Sequence, residues 1–232
     1  MSLFTSSTFF DLTAYQHAKL FEPCAFVWEA LLNLEAYLAA QPLGKIEVDI
    51  PTGVYLVNPE LISIGKGSVI EPGTYIQGPC ILGEKCTVRF GAYIRGHFLA
   101  GNRCVIGHDT EVKHSIFLDG VHAAHFAYVG DSILGNGVNL GAGTKCANLK
   151  LDSSPVEICY ADKRHSTGMR KLGAIVGDAS QLGCNSVTNP GTVLGKKVFC
   201  HPCINVSGYI EANHVVKTDS QLCIKSLSNK HS

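Results

Sequence analysis

Aliphatic side chains recur every six residues along much of this 232-residue chain, and that period constrains the fold more than any other feature. The series runs through Ile64, Ile70, Ile76, Leu82, Val88 and Ile94 and returns at Val176, Leu182, Thr188, Leu194, Cys200 and Val206. A mostly small residue stands two places before each, as at Ser68 and Thr74. A short fixed period is typical of a solenoid, whose stacked turns bury one continuous core. The sequence therefore predicts an all-β fold of stacked parallel β-coils.

We expect this solenoid to occupy residues 45–215 as one domain, with glycines at its corners, where positive φ angles are often required. Residues 1–44 form an N-terminal segment, in which apolar residues at helical spacing predict a helix over about residues 23–40. We expect that helix to cover the open end of the solenoid, where strand edges are unpaired. Residues 216–232 are interpreted as a C-terminal tail.

Composition limits the classes of partner. The chain is 46% hydrophobic, which suffices for a core, and its formal net charge of zero offers no broad basic surface for nucleic acid or for a membrane. Neither a signal peptide nor a long apolar span is apparent, so we expect a soluble cytoplasmic protein.

Ten cysteines raise the question of a disulfide framework or a metal site. Cys80, Cys86 and Cys104 fall in the small-residue phase of the repeat, which favours small buried thiols. Cys200 and Cys203 form a close pair, but no second pair has the spacing of a zinc site. We therefore expect reduced thiols and no metal.

Two interruptions of the repeat draw attention to function. The six-residue period continues through Leu118 and then shortens between residues 119 and 135, around His125. It is absent over residues 145–172. A long insert in a compact repeat is more often functional than accidental. This one contains a predicted strand near Val156–Tyr160 and several basic residues.

Residues suited to acyl transfer lie beside these interruptions. A histidine such as His125 can act as a general base near neutral pH. Asn139 and Asn148 flank the glycine-rich run 141–144, whose backbone N–H groups can approach an oxygen atom. Arg95 and Lys113 are eighteen residues apart, which predicts two cations on neighbouring coils that could bind a phosphate. Each of these residues has an ordinary structural interpretation when taken alone.

The order of motifs resembles a known family. Glu111-Val112-Lys113, His125-Phe126-Ala127-Tyr128-Val129-Gly130-Asp131 and Asn139-Leu140-Gly141-Ala142-Gly143-Thr144 are similar to the acetyltransferase half of the bacterial N-acetylglucosamine-1-phosphate uridylyltransferases. The run from Ser166 to Asp178 is closer to the C-terminal domain of the archaeal-type sugar-1-phosphate nucleotidylyltransferases. The resemblance covers roughly residues 60–210.

The resemblance implies a left-handed parallel β-helix that forms a homotrimer, with active sites between subunits and acetyl-CoA as the acyl donor. It implies that His125 is the general base. Amino-sugar binding would fall to Tyr128, Asn139 and Asn148, and 1-phosphate binding to Arg95 and Lys113. The backbone N–H of Ala142 would stabilise the oxyanion, and Cys184 would lie near the acyl donor.

Departures from the family pattern concern the insert and the N-terminus. Two positions that hold ligand-binding lysines in relatives are Ser154 and Glu157 here, so Lys150, Lys163 or Arg164 is expected to replace them. Residues 1–60 contain no glycine-rich nucleotide loop and no acidic metal site. We therefore expect this chain to transfer an acetyl group to an amino-sugar 1-phosphate, with glucosamine 1-phosphate as first candidate, and not to make nucleotide sugars.

Two alternatives remain open. The chain could be a non-catalytic module that binds or assembles around a sugar phosphate or nucleotide sugar, which Ser154 and Glu157 favour. It could also be a trimeric β-helical carbonic anhydrase, because five histidines lie in the central coils, at positions 97, 108, 114, 122 and 125. That interpretation predicts that His108 and His114 stack on one face and that zinc is bound between subunits.

Overall fold

The computed structural model describes residues 3–161 and 163–219, and these form a parallel β-solenoid. Its three sheets each contain eight strands, and the chain passes from one sheet to the next at every corner. Sheet I contains β1 (Tyr55–Val57), β4 (Tyr75–Gln77), β7 (Tyr93–Ile94), β10 (Glu111–Lys113), β13 (Tyr128–Gly130), β16 (Lys145–Cys146), β21 (Val187–Thr188) and β24 (Asn205–Val206). This arrangement confirms the predicted all-β coil.

The other two sheets follow the same order of coils. Sheet II contains β2 (Ile62–Ile64), β5 (Cys80–Leu82), β8 (Phe98–Ala100), β11 (Ser115–Phe117), β14 (Ile133–Leu134), β19 (Ala174–Val176), β22 (Thr192–Leu194) and β25 (Tyr209–Ile210). Sheet III contains β3 (Val69–Ile70), β6 (Thr87–Val88), β9 (Val105–His108), β12 (His122–His125), β15 (Asn139–Leu140), β20 (Gln181–Leu182), β23 (Phe199–Cys200) and β26 (Val215–Val216). From residue 220 onward, the predicted tail lies outside the described residues.

The residues of the six-residue series fill the interior of the coil. One side chain from each strand points inward, and these aliphatic residues are almost fully buried in a single cluster. Cys80, Cys86 and Cys104 are fully buried in the same cluster, and the cysteines of the described chain are all unpaired. The predicted role of these thiols as small core residues is therefore confirmed.

The phase of the repeat changes earlier than the sequence predicted. Phe117, and not Leu118, occupies the interior position, because the chain loses one residue between Val112 and Phe117 and another between Val129 and Leu134. Leu118 instead joins a second hydrophobic cluster outside the coil. Both shortened corners connect sheet I to sheet II, so neighbouring coils there are offset by 17 residues, as in the pairing of Glu111 with Tyr128.

The N-terminal segment covers the outer face of sheet II. It contains α1 (Ser6–Phe9), a 3₁₀ turn over Ala18–Leu20 and α2 (Glu29–Ala39). Its buried residues pack on a row of aliphatic side chains that point outward from the sheet: Leu99, Ile116, Ile133, Ile175 and Val193. The prediction that the helix covers the open end is wrong, because residues 46–56 supply the apolar side chains at that end. The helix is also shorter than predicted and begins at Glu29.

The insert between β16 and β19 contains an antiparallel hairpin, β17 (Glu157–Tyr160) and β18 (Lys163–Ser166). The predicted strand near residues 156–160 is confirmed. Val156 and Ile158 are buried against the N-terminal segment, and the ring of His165 lies 5.2 Å from that of Phe4. The segment thus supports the hairpin as well as sheet II.

Candidate active site

One corner of the coil carries a column of polar residues on successive turns. His97, His114 and Asp131 follow β7, β10 and β13, at intervals of 17 residues, and Asn148 continues the column after β16. The first three adopt left-handed backbone conformations, with φ angles of 47°, 43° and 48°. Histidine, aspartate and asparagine tolerate this region better than most residues. These sharp corners, of which those after β10 and β13 are one residue shorter, therefore favour the residue types that they carry.

Asp131 is the centre of this column. Its side chain is 8% exposed and accepts hydrogen bonds from Lys113 Nζ at 2.9 Å and His114 Nδ1 at 3.0 Å. The Asn148 amide donates a third, short hydrogen bond to it. Burial opposes ionisation of the carboxyl, but the hydrogen bonds from His114, Lys113 and Asn148 hold its pKa below the ordinary value. A buried carboxylate thus holds two of the predicted site residues.

Tyr128 joins the same network through Asn148. Gly130 lies between them, and a Cβ there would come within 2.5 Å of Asn148 Nδ2 and 2.7 Å of the Tyr128 hydroxyl. Glycine at this position lets the ends of the two side chains meet across β13, and a Cβ would displace them. Burial, and then Glu111, raise the pKa of Tyr128, while its hydrogen bond with Asn148 opposes them.

Arg95 and Lys113 occupy neighbouring coils, as their spacing predicted, because Ile94 and Val112 are paired in register. Each cation already has an acidic partner. Arg95 Nη1 lies 2.8 Å from Glu111 Oε1, and that carboxylate raises the pKa of the guanidinium. Lys113 is paired with Asp131. The formal charge of these four groups therefore sums to zero.

His125 lies at the end of β12, with its side chain exposed. Its backbone is fixed by the next coil, since Gly143 N–H donates to the His125 carbonyl at 3.1 Å. Phe126 follows with a φ of 36°, which turns the chain sharply toward Tyr128. In register, His125 pairs with His108, which hydrogen-bonds the Phe90 carbonyl.

The glycine-rich corner presents a backbone donor. The N–H of Gly141 donates to the Leu182 carbonyl and that of Gly143 to the His125 carbonyl. Between them, the N–H of Ala142 has no backbone acceptor within the described chain. The Ala142 carbonyl accepts from Asn185 N–H at 2.8 Å, which fixes the peptide plane, and Cys184 is exposed on that same next coil.

Asn139 lies apart from the Asp131 network. It begins β15 on sheet III, where it pairs with His122 and Gln181, whereas Lys113, Tyr128 and Asn148 belong to sheet I and its corner with sheet II. The structure therefore divides the predicted site residues between two faces. Lys113, Tyr128 and Asn148 form one group, with Arg95 on the adjoining coil. His125, Asn139, Ala142 and Cys184 form the other, on sheet III and its corners.

The insert places a cation beside the first departure from the family pattern. Lys150 Nζ lies 2.5 Å from Ser154 Oγ and 3.7 Å from Asp152. Arg164 is paired with Glu157 at 3.2 Å on the exposed hairpin. Lys150, Asp152, Glu157 and Arg164 line a groove of about 680 Å³, together with Asn189. Of the three expected replacements for the missing lysine, Lys150 has the closest contact to position 154.

The carbonic anhydrase interpretation predicted that His108 and His114 share a face, and that prediction is wrong. His108 ends β9 on sheet III, while His114 follows β10 on sheet I. Six residues advance the chain by one sheet, and a full turn takes 17 or 18. Within the described part of a single chain, no three histidine, cysteine or acidic side chains are grouped as metal ligands.

The role of Asp131 was not apparent from the sequence, although it belongs to the quoted motif. Glu111 and His114 were likewise not assigned to the site. A strict 18-residue repeat would stack Lys113 on Asp131, while the real offset of 17 residues stacks His114 on Asp131 and leaves Lys113 beside it. The one-residue shortening of the repeat was the sequence feature that could have predicted this stacking.

Comparisons with known proteins agree with the motifs. Residues 76–161 match the model of the GMPPB C-terminal domain. A bifunctional sugar-1-phosphate nucleotidylyltransferase/acetyltransferase from Sulfurisphaera tokodaii is 34% identical over 181 residues, which is 73% of this chain and 41% of that protein. The predicted resemblance is confirmed. The bifunctional protein GlmU of Methanocaldococcus jannaschii is also 34% identical, over 53% of this chain and 30% of its own length.

This chain spans less than half the length of these two relatives. Among solved structures, the polysialic acid O-acetyltransferase OatWY overlaps 76% of this chain and 93% of its own, with 15% identity and a TM-score of 0.33. That overlap is too weak to transfer any property. In the part of the chain that is described, none of the helices has the length and apolar character needed to cross a membrane.

Proposed function

We propose that the protein is an acetyl-CoA-dependent N-acetyltransferase that acts on an amino-sugar 1-phosphate, with glucosamine 1-phosphate as the first candidate. The observation that carries the proposal is the Lys113–Asp131–Asn148–Tyr128 network, in which a buried carboxylate fixes an ammonium group and an amide from neighbouring coils. Such a fixed polar surface suits recognition of a sugar phosphate. The similar protein of Sulfurisphaera tokodaii is named for sugar 1-phosphates and acetyl transfer, which supports the same chemistry.

In the proposed reaction, the free amine of the sugar attacks the thioester carbonyl of acetyl-CoA. His125 accepts a proton from the amine as the C–N bond forms; the C–S bond then breaks, and the proton passes from His125 to the departing thiolate, which releases CoA as its thiol. The Ala142 N–H donates to the oxyanion that develops on the carbonyl oxygen, a contribution of a few kcal/mol for donors of this kind. Cys184, on the next coil, lies toward the acyl donor.

Arg95 and Lys113 bind the 1-phosphate in this proposal, and Lys150 replaces the missing lysine near Ser154. Tyr128, Asn139 and Asn148 bind the sugar. No step requires a metal. We also propose that this chain does not transfer a nucleotidyl group, because residues 3–39 pack on sheet II and form two short helices and a 3₁₀ turn with no phosphate-binding loop among them.

We further propose that the protein is a homotrimer. His125, Asn139 and Ala142 lie on a different face from the Asp131 network, so a second subunit could bring the two groups together. Light scattering should then give three times the chain mass of 24.8 kDa. A single-chain mass at assay concentration would contradict this proposal.

The proposed activity is tested by release of free CoA from acetyl-CoA. We expect turnover with glucosamine 1-phosphate, or with galactosamine 1-phosphate, and a much higher KM for glucosamine, which lacks the phosphate. Mass spectrometry of the product should show one added acetyl group. Absence of turnover with every amino-sugar phosphate would refute the enzyme.

The second candidate is a non-catalytic sugar-phosphate binding module. It is favoured by the neutral charge of the Arg95–Glu111 and Lys113–Asp131 pairs, which leaves no unpaired cation between these four groups. Calorimetric binding of glucosamine 1-phosphate without CoA release would support this module. Binding together with turnover would exclude it.

A further inference from the structure

His114 shares the Asp131 carboxylate with Lys113. Lys113 Nζ contacts Oδ2 at 2.9 Å, and His114 Nδ1 contacts Oδ1 at 3.0 Å. The two nitrogen-bearing groups therefore flank a single carboxyl group. Both side chains reach solvent, with 18% and 29% of their surfaces exposed, while Asp131 lies beneath them at 8%.

The contact with Asp131 fixes how the imidazole is used. Nδ1 is occupied by the carboxylate, so Nε2 is the nitrogen left to meet a ligand. In the protonated ring, both nitrogens donate, and Nε2–H can then bond an anion. Asp131 thus holds an imidazole in a fixed orientation next to the ammonium group of Lys113.

The charge balance of the site indicates what His114 could contribute. The four groups around the proposed phosphate site sum to zero, because Glu111 neutralises Arg95 and Asp131 neutralises Lys113. A phosphate monoester brings between one and two negative charges at neutral pH. Protonation of a histidine is the one side-chain charge change ordinarily available between pH 5 and 8.

We propose that His114 is a further phosphate-binding residue, which takes up a proton when the sugar phosphate binds beside Lys113. The inference rests on the proposed function, because it needs a phosphate at that position. It adds a residue to the site and makes affinity for the phosphate depend on pH.

Other groups face His114 and must be considered. The His97 ring lies 6.2 Å from the His114 ring, and His97 Nε2 is 4.0 Å from Glu35 on α2. Asp131 contacts the ring directly, and Lys113 is the neighbouring cation on the same carboxylate. A phosphate bound beside Lys113 would add an anionic partner on the Nε2 side of the ring.

The test measures proton uptake on binding. Titration calorimetry of glucosamine 1-phosphate at pH 7, in buffers of different ionisation enthalpy, gives the protons taken up per ligand. We expect His114→Asn to take up fewer protons per ligand than the wild type, since the variant lacks the imidazole that is proposed to gain a proton on binding.

Affinity provides a second readout. Replacing a charged hydrogen-bond donor should raise the Kd for glucosamine 1-phosphate roughly tenfold at pH 6 and about twofold at pH 8. The Kd for glucosamine, which lacks the phosphate, should change less than about twofold. His97→Asn is the matched control, because its backbone has nearly the same φ but it does not contact Asp131. We expect this control to retain wild-type proton uptake.

Equal proton uptake in wild type and His114→Asn, or a loss of affinity independent of pH, would overturn the inference while leaving the proposed function intact. If wild-type protein neither binds glucosamine 1-phosphate nor turns it over, the proposed function fails and the inference fails with it.

Discussion

Single residues at the shortened corners form one of the two groups of the candidate site. Motif order was enough to identify His125, Tyr128 and Asn148 as candidates, because their types and spacing match a known pattern. The contacts of Asp131 could not be predicted, since they depend on a one-residue loss that shifts the stacking from 18 to 17. A repeat read from sequence gives the period well, but one missing residue changes which side chains meet across coils.

Asp131 makes a testable contribution to stability. Asp131→Asn keeps the shape but replaces one acceptor oxygen with a donor facing Lys113, His114 or Asn148. We expect the free energy of unfolding at pH 7 to fall by about 3 kcal/mol, as when one member of a buried ionic network is removed. Chemical denaturation measures this change.

The pH dependence of that loss follows from the lowered pKa of Asp131. Stabilisation by the carboxylate is complete above its unfolded pKa of 3.8 and is lost as the pH falls through the lower folded pKa. The difference in unfolding free energy between wild type and Asp131→Asn should therefore become smaller in that range. Asp152→Asn, in an exposed loop, is the control and should change stability by less than about 0.5 kcal/mol. A similar loss in both variants would contradict the role given to Asp131.

At the scale of elements, the strands were predictable and the N-terminal segment only in part. Helical spacing suggested a helix from residue 23, but the carboxylate of Glu29 accepts hydrogen bonds from the N–H groups of Ala25 and Phe26, at 2.7 and 3.1 Å. These contacts form a turn before the helix, which then begins at Glu29. The location of the segment could not be predicted, because the outward aliphatic row on sheet II is interleaved with the interior series.

The N-terminal segment should respond to acid through His17. This imidazole is 5% exposed and lies 2.9 Å from the Tyr37 hydroxyl, and burial lowers its pKa from 6.5 to about 4. Because the unfolded chain binds the proton more readily, stability is complete above pH 6.5 and is lost as the pH falls toward 4. His17 should therefore cost the wild type about 2 to 3 kcal/mol between pH 7 and pH 4.5.

His17→Gln removes the titrating group, so unfolding free energies at the two pH values should differ less in this variant than in the wild type, by that amount. His201→Gln, at an exposed corner, is the control and should follow the wild type within about 0.5 kcal/mol. The same pH dependence of the unfolding free energy in wild type and His17→Gln would show that His17 does not cause the loss of stability in acid.

For the whole molecule, the coil presents different residues on each of its three sheets. Its architecture was predictable because every turn repeats the same burial pattern. The site was less so, because the Asp131 network lies at the corner of sheets I and II, while His125 and the Ala142 corner lie on sheet III. A single sequence does not show how these two groups are combined, and a fold alone does not identify a reaction.

The central claim is that His125 accepts the proton during acetyl transfer, and its most direct test compares two histidines paired in register. We expect His125→Asn to lower kcat/KM for CoA release with glucosamine 1-phosphate by about 100-fold or more, in the range of general-base catalysis. His108→Asn, one coil away on the same sheet, should stay within about threefold of the wild type. Equal activity in wild type and His125→Asn would contradict the account.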